Sequence, residues 1–247
     1  LKNKRLMKVP SYNREAKILL DQCKITEPPV KLSEVIKKCV EIKVVFDDID
    51  GDGYLVDLGV LGSQVLIKKQ APVVRQRFTL AHEIGHWVLN KKNISPCIDN
   101  CSIEEWCNKF AAELLIPSNW FRNNVLELGI NNFWEIFDLP PRYVVSLESL
   151  LHKVPEVTPI NVHLIKMNGG SIKVEQNKSY EAPISFVAYK DKIMSQLLTS
   201  TMRSRFLVDV KTYCFYQLLY SSGEKKEIVV FLLYSRDGLT ISSSGHF

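Results

Sequence analysis

The sequence predicts an α+β fold: a helix-rich N-terminal part enclosing a few short strands, then a strand-rich C-terminal part of mixed α/β character. Three observations carry this. At 247 residues the chain exceeds one modal domain, so two domains, or one with an appendage, are expected. Its 46% hydrophobic and 24% charged residues are those of a globular protein and exclude wholesale disorder or fibrous repeats. Apolar residues recur at helical spacing up to Lys153 and in strand-like runs beyond it.

Taken in order, Arg14 to Gln22 has helical spacing around Ile18, Leu19 and Leu20, and Glu27-Pro28-Pro29 stops it. Leu32 to Val40 reads as a short helix with Ser33 available as N-cap. Three strand-like runs follow, Ile42–Phe46, Gly53–Leu58 and Gln64–Ile67, with glycine-rich turns between them. Asp48, Asp50 and Asp52 imitate the first half of a calcium loop. Its twelfth position is Gly59, which has no carboxylate to close the shell, so a tight acidic turn is the better account. Gln76–Asn90 turns helical, and Ser102–Ile116 is a second long helix stopped by Pro117. Shorter helices are expected from Trp120 to Lys153, and the segment VPEVTPI at 154–160 as a linker. Strand-like runs then lie at 160–167, 170–175, 183–189, 211–219, 227–234 and 238–243, with a helical piece at 191–202.

Charge and cysteine usage narrow the function classes. Residues 1–17 hold six Lys/Arg against Glu15, which accounts for the whole formal net charge of +5. The remainder is neutral, which argues against a broad nucleic-acid-binding face; the basic segment reads as a solvated tail or helix face. The longest apolar run, Ile228–Tyr234, is too short to span a bilayer, and no secretory signal is visible. A soluble, cytoplasmic chain is expected, with its six cysteines reduced. Cys97, Cys101 and Cys107 lack knuckle spacing and a fourth ligand, and read as small apolar residues.

The chemistry lies in Arg77-Phe78-Thr79-Leu80-Ala81-His82-Glu83-Ile84-Gly85-His86-Trp87-Val88-Leu89. On a helix, His82 and His86 project from one face, one turn apart, and can bind one tetrahedral zinc. Glu83, about 100° round the helix, can reach a water on that ion. With five His and sixteen Glu, a chain of this composition carries His-Glu-x-x-His by chance with a probability of roughly 0.006. Two surface histidines on an amphipathic helix are the alternative, but the apolar neighbours Phe78, Leu80, Ala81, Ile84, Val88 and Leu89 imply a largely buried helix. Buried histidines need partners.

For the third ligand Glu113 stands out. It interrupts the apolar run Phe110–Ile116, where an unpaired carboxylate costs several kcal/mol. The rivals are Glu104 and Glu105. Ser102-x-x-Glu105 matches a capping box, and Glu104 lies about 180° from Glu113 on the wheel, so these two cannot share a face. Glu113 paired with a buried Arg or Lys is the structural alternative.

The segment RQRFTLAHEIGHWVL (75–89), followed by EEWCNKFAAELLIP (104–117), closely resembles the ImmA/IrrE family of zinc metallopeptidases. The resemblance covers about residues 14–153, with Cys107 where the family usually has Ala and His152 where it often has Arg. It implies a zincin-like metallopeptidase domain at 1–117, a helical, helix-turn-helix-like segment at 118–153 and, at 155–247, a C-terminal domain in the position of a sensor. It further implies one catalytic Zn²⁺ held by His82, His86 and Glu113, with Glu83 catalytic, and a helix-turn-helix repressor as the protein substrate whose cleavage relieves repression. The oxyanion-stabilising group stays open among Tyr54, Arg75, Arg77, Tyr143 and His152. The competing functions are a non-proteolytic DNA- or protein-binding regulator and a broad-specificity peptidase. Helices at 118–153 carrying Glu127, Glu135, Asp138 and Glu148 weaken the first, so no direct nucleic-acid partner is expected.

Overall fold

The computed structural model describes residues 9–94, 100–128, 133–158, 160–168, 171–175, 203–209, 212–220 and 226–235. They form two compact units. One runs up to Trp120 and includes Leu139–Ser146; the other comprises Phe121–Asp138 and the chain from Leu147 onward. The fold is α+β.

The first unit opens with α1 (Tyr12–Cys23) and α2 (Leu32–Cys39). Strands β1 (Ile42–Asp47), β2 (Gly53–Asp57) and β3 (Ser63–Lys68) follow. The long helices α3 (Val73–Lys91) and α4 (Asn100–Leu115) complete it. The sheet order is β1-β3-β2, with β3 parallel to β1 and antiparallel to β2, so β2 is an edge. Alternation does its usual work in the central strand: Val65 and Ile67 are wholly buried while their neighbours are not. Helix α3 packs on β2, β3 and α4, and α1 packs on α2 and α4. Buried Ala16, Leu19, Val35, Ile84, Phe110 and Leu114 fill the space between them. The acidic turn after β1 is tied down by Asp52, which receives the Arg75 guanidinium of α3 at 2.8 Å; that contact holds the Asp52 carboxyl below the usual carboxylate range.

Helix α4 begins at Asn100, three residues before the Ile103 start that a Ser102 N-cap requires. Ser102 therefore lies inside the first turn, and Glu105 pairs with Lys109 at 2.7 Å along the exposed face.

Helices α5 (Ser118–Leu128), α6 (Leu139–Tyr143) and α7 (Leu147–Val157), with a 3₁₀ stretch at Phe133–Asp138, come next. The segment expected as a linker is helical as far as Val157. Buried Leu150, Leu151, Val154 and Pro155 hold α7 together across a proline that removes one backbone hydrogen bond. Beyond it, β4 (Ile160–Asn168), β5 (Ser171–Glu175), β6 (Arg203–Asp209), β7 (Thr212–Tyr220) and β8 (Lys226–Ser235) form one antiparallel sheet, ordered β5-β4-β8-β7-β6. Strand β6 is not among the runs expected from sequence, and those at 183–189, 191–202 and 238–243 lie outside the described residues. Among the described residues no helix is long and apolar enough to cross a membrane.

Candidate metal centre

The site forms where α3 and α4 lie against each other. Gly85 sets their separation. A Cβ there would stand 3.1 Å from Phe110 Cδ1 and 3.3 Å from both Cα and Sγ of Cys107, so a side chain would push the helices apart. The close approach puts His82 and His86 of α3 opposite Glu104 and Asn108 of α4.

Donor atoms converge there. His82 Nε2 lies 3.1 Å from His86 Nε2. Glu104 straddles the pair, with Oε2 3.1 Å from His82 Nε2 and Oε1 3.3 Å from His86 Nε2. Ligand atoms about 2.0–2.2 Å from a tetrahedral Zn²⁺ stand about 3.3–3.6 Å from one another, so the three groups are spaced close to that figure. Their protonation points the same way. Asn108 Oδ1 lies 2.9 Å from His82 Nδ1, and an amide oxygen only accepts, so Nδ1 carries the proton. His82 then directs Nε2 towards a carboxylate and a second imidazole. Two facing acceptors need a proton or a cation between them. Burial, and next the charge of His82, push His86 below the usual histidine range, with Glu104 opposing, which disfavours the proton. The donor set fits a divalent metal.

Cys107 is the other neighbour, its Sγ within 4.8 Å of ligand atoms on both histidines. Burial, and then the charges of Glu104 and Glu83, push its thiol up to about 12 in the metal-free protein, and with the two histidines it forms a second group of donors close enough to hold one ion. Glu83 faces β2. It is 7% exposed and accepts a hydrogen bond from the backbone N–H of Leu55. Burial raises its pKa, the His82 charge and that N–H lower it, and Glu104 raises it; the net shift is upward. Glu83 and both histidines open into a cavity of about 500 Å³, walled by β2 through Tyr54 and Leu55 and on the other side by Glu104.

The structure thus brings together His82, Glu83 and His86 and leaves Glu113 apart. The Glu113 carboxylate accepts the N–H and Oγ–H of Ser118, at 3.0 and 2.6 Å, at the start of α5. That capping meets the burial cost which had singled it out, and Glu104 stands where Glu113 was expected. Asn108 is a residue the sequence reading passed over. Of the five candidates for the oxyanion, Tyr54 lines the cavity. Arg75 is taken by Asp52, Arg77 donates to the carbonyls of Val30 and Val144, Tyr143 is wholly buried, and His152 sits in the other unit.

Residues 38–154 match the model of the IrrE N-terminal-like domain, a peptidase family, and this segment contains α3, α4 and the whole donor set. The chain carries a domain of the ImmA/IrrE family. Over 107 residues it is 35% identical to the radiation response metalloprotease IrrE of Deinococcus radiodurans, a match covering 40% of this chain and 32% of that one. The chain therefore spans about a third of the length of that relative. Its fold is similar to that of a Mycobacterium tuberculosis transcriptional regulator, with a TM-score of 0.60 at 15% identity, over 94% of this chain and 78% of the other. Within the ImmA/IrrE domain, Glu104, Cys107 and Asn108 share one face of α4 at helical spacing, the face that Gly85 admits to α3.

Proposed function

We propose that this chain is a zinc-dependent endopeptidase in which His82, His86 and Glu104 hold the ion and Glu83 carries the proton. The observation behind this is the spacing of two imidazole nitrogens and one carboxylate, 3.1–3.3 Å apart, beside a buried glutamate. Zinc, when bound by these groups, supplies a Lewis acid that polarises a carbonyl and acidifies water. The rest falls to the chain itself. Asn108 fixes the His82 tautomer, leaving Nε2 free to ligate. The Leu55 N–H orients the Glu83 carboxylate, and burial brings its basicity closer to neutrality, where a general base that later returns its proton to the leaving amine works best. Strand β2 is the edge of its sheet and walls the cavity, so an extended peptide can add to it as a further strand through backbone groups other than the Leu55 N–H.

The family resemblance supports a zincin-like architecture for residues 1–117, a helix-turn-helix-like segment at 118–153, a sensor-like role for 155–247, and a helix-turn-helix repressor as substrate of a cytoplasmic stress-response protease. The name of the Deinococcus relative accords with a stress response. The test is metal content and cleavage of a co-expressed repressor encoded beside this gene, for four proteins. Glu104→Gln should lose zinc and activity together. Glu113→Gln should keep its zinc. Glu83→Gln should keep zinc while cleavage falls by at least about 10²-fold. If Glu104→Gln retains full zinc and Glu113→Gln loses it, the ligand assignment fails; undiminished cleavage by Glu83→Gln removes the proposed base.

A further inference from the structure

We propose that Cys23 and Cys39 form a reversible oxidation site, in which a hydroperoxide closes the two thiols to a disulfide that joins the ends of α1 and α2. The two cysteines are the last residues of their helices, and their sulfur atoms lie 3.2 Å apart. A disulfide needs about 2.05 Å, so an approach of about 1.1 Å makes the bond.

The two thiols are unequal. Cys23 is 1% exposed, and burial first, then Cys39, pushes its thiol up to about 12, so it stays protonated and out of reach. Cys39 lines an open surface groove of about 550 Å³ whose walls also carry Lys37, Lys38 and Lys43. Lys38 Nζ donates to the carbonyl oxygen of Cys23 at 3.0 Å, which sets an ammonium group beside the pair. A small oxidant entering the groove meets Cys39 first, because Cys23 is buried behind it. Cys107, the third free cysteine among the described residues, is wholly buried against α3.

The chemistry balances in two steps. Cys39 sulfur attacks the distal peroxide oxygen; the O–O bond breaks, the Cys39 proton passes to the departing oxygen, which leaves as alcohol or water, and Cys39 becomes a sulfenic acid. Cys23 sulfur then attacks Cys39 sulfur, the S–O bond breaks, and the hydroxide released takes the Cys23 proton and leaves as water. Two thiols have lost two electrons and two protons, and the peroxide has gained them. A thiol reductant reverses it. Closure links α1, which packs on α4, to α2 through a short chain segment.

The full-length wild-type chain is exposed to hydrogen peroxide, quenched with N-ethylmaleimide and digested for mass spectrometry. The expected product is a linked Cys23–Cys39 peptide within one chain, two hydrogens lighter than the thiols and opened by dithiothreitol. Cys39→Ser should slow oxidation of Cys23 at least ~10-fold, and Cys23→Ser should leave a dimedone-reactive sulfenic acid at Cys39. If Cys23 and Cys39 remain alkylatable after other cysteines have reacted, or if Cys39 pairs preferentially elsewhere, the proposal is overturned. The wild-type result decides this even where a variant fails to fold.

Discussion

One methyl group at position 85 puts the geometry of the metal centre under test. In Gly85→Ala the new Cβ would lie 3.1 Å from Phe110 Cδ1 and 3.3 Å from Cys107 Cα and Sγ. Comfortable carbon–carbon contact is about 3.5–4.0 Å. Phe110 and Cys107 are wholly buried, and one contact is to backbone, so no side chain can swing aside. Helices α3 and α4 must therefore part by roughly 0.3–0.5 Å at this crossing. Alanine's helix propensity returns about 1 kcal/mol, while overpacking costs about 1–3 kcal/mol, so the fold should lose about 0–2 kcal/mol. The metal site should lose more. Glu104 and Asn108 ride on α4 beside Cys107, and a shift of this size exceeds the roughly 0.2 Å that ligand distances tolerate. Zinc affinity, measured by competition with a chromophoric chelator, should fall by about 10-fold or more. An alanine variant that binds zinc like wild type and melts higher by about 1 kcal/mol would refute the reasoning, because propensity alone would then govern the position.

The charge state of Glu83 makes a separate test in metal-free protein. Burial raises its folded pKa above the unfolded one, so the native state holds the extra proton, and the stability it contributes falls as pH rises through that interval. Metal-free Glu83→Gln should therefore melt above wild type at neutral pH, with the gap closing below the ordinary carboxylate range; a gap independent of pH would contradict the shift. Ser118→Ala removes the Oγ–H donated to the Glu113 carboxylate and should cost about 1–3 kcal/mol in chemical denaturation with zinc retained. Zinc loss in that variant would return Glu113 to the metal.

Most of the first unit was legible because its local signals agree. Pro117 follows α4 closely, β3 alternates, and the His-Glu-x-x-His helix runs over the residues its apolar positions mark. The structure sets Glu104 and not Glu113 beside the two histidines, and the reason is physical. Burial cost is a sound ground for demanding a partner for Glu113, but Ser118 meets the demand five residues on, beyond the helix end. A ligand at the mouth of a cleft carries little such cost; the Glu104 side chain is 58% exposed. The face of α4 was the better guide. Glu104, Cys107, Asn108 and Ala111 recur at three and four residues, and Cys107 among them meets Gly85, a position where only a missing Cβ allows contact. The linker failed similarly, since proline and polar residues at 154–160 signal a break that buried Leu150, Leu151 and Val154 override. In β6, Arg-Ser-Arg begins a strand whose partner β7 lies nearby in sequence, and pairing supplies what the pattern lacks.

The adjacency of His82 and Glu83 follows from what borders α3. A second missing side chain, at Gly53, admits β2 on another face: a Cβ there would stand 2.5 Å from Thr79 Cγ2 and 2.8 Å from the Leu66 carbonyl. Thr79 and Glu83 are one turn apart on α3, so the face that meets β2 is the one that carries the base, and the Leu55 N–H reaches it there. His82, Gly85 and His86 define the face that meets α4. One residue advances a helix by about 100°, so in the proposed mechanism consecutive His and Glu separate metal-holding from proton-handling between two neighbours while keeping both within one cavity. The two glycines are what let both neighbours come close enough. An added Cβ at either position would back off one wall, α4 with its donors or β2 with its N–H, and leave the other in place, so metal affinity and the basicity of Glu83 are separable properties of this helix.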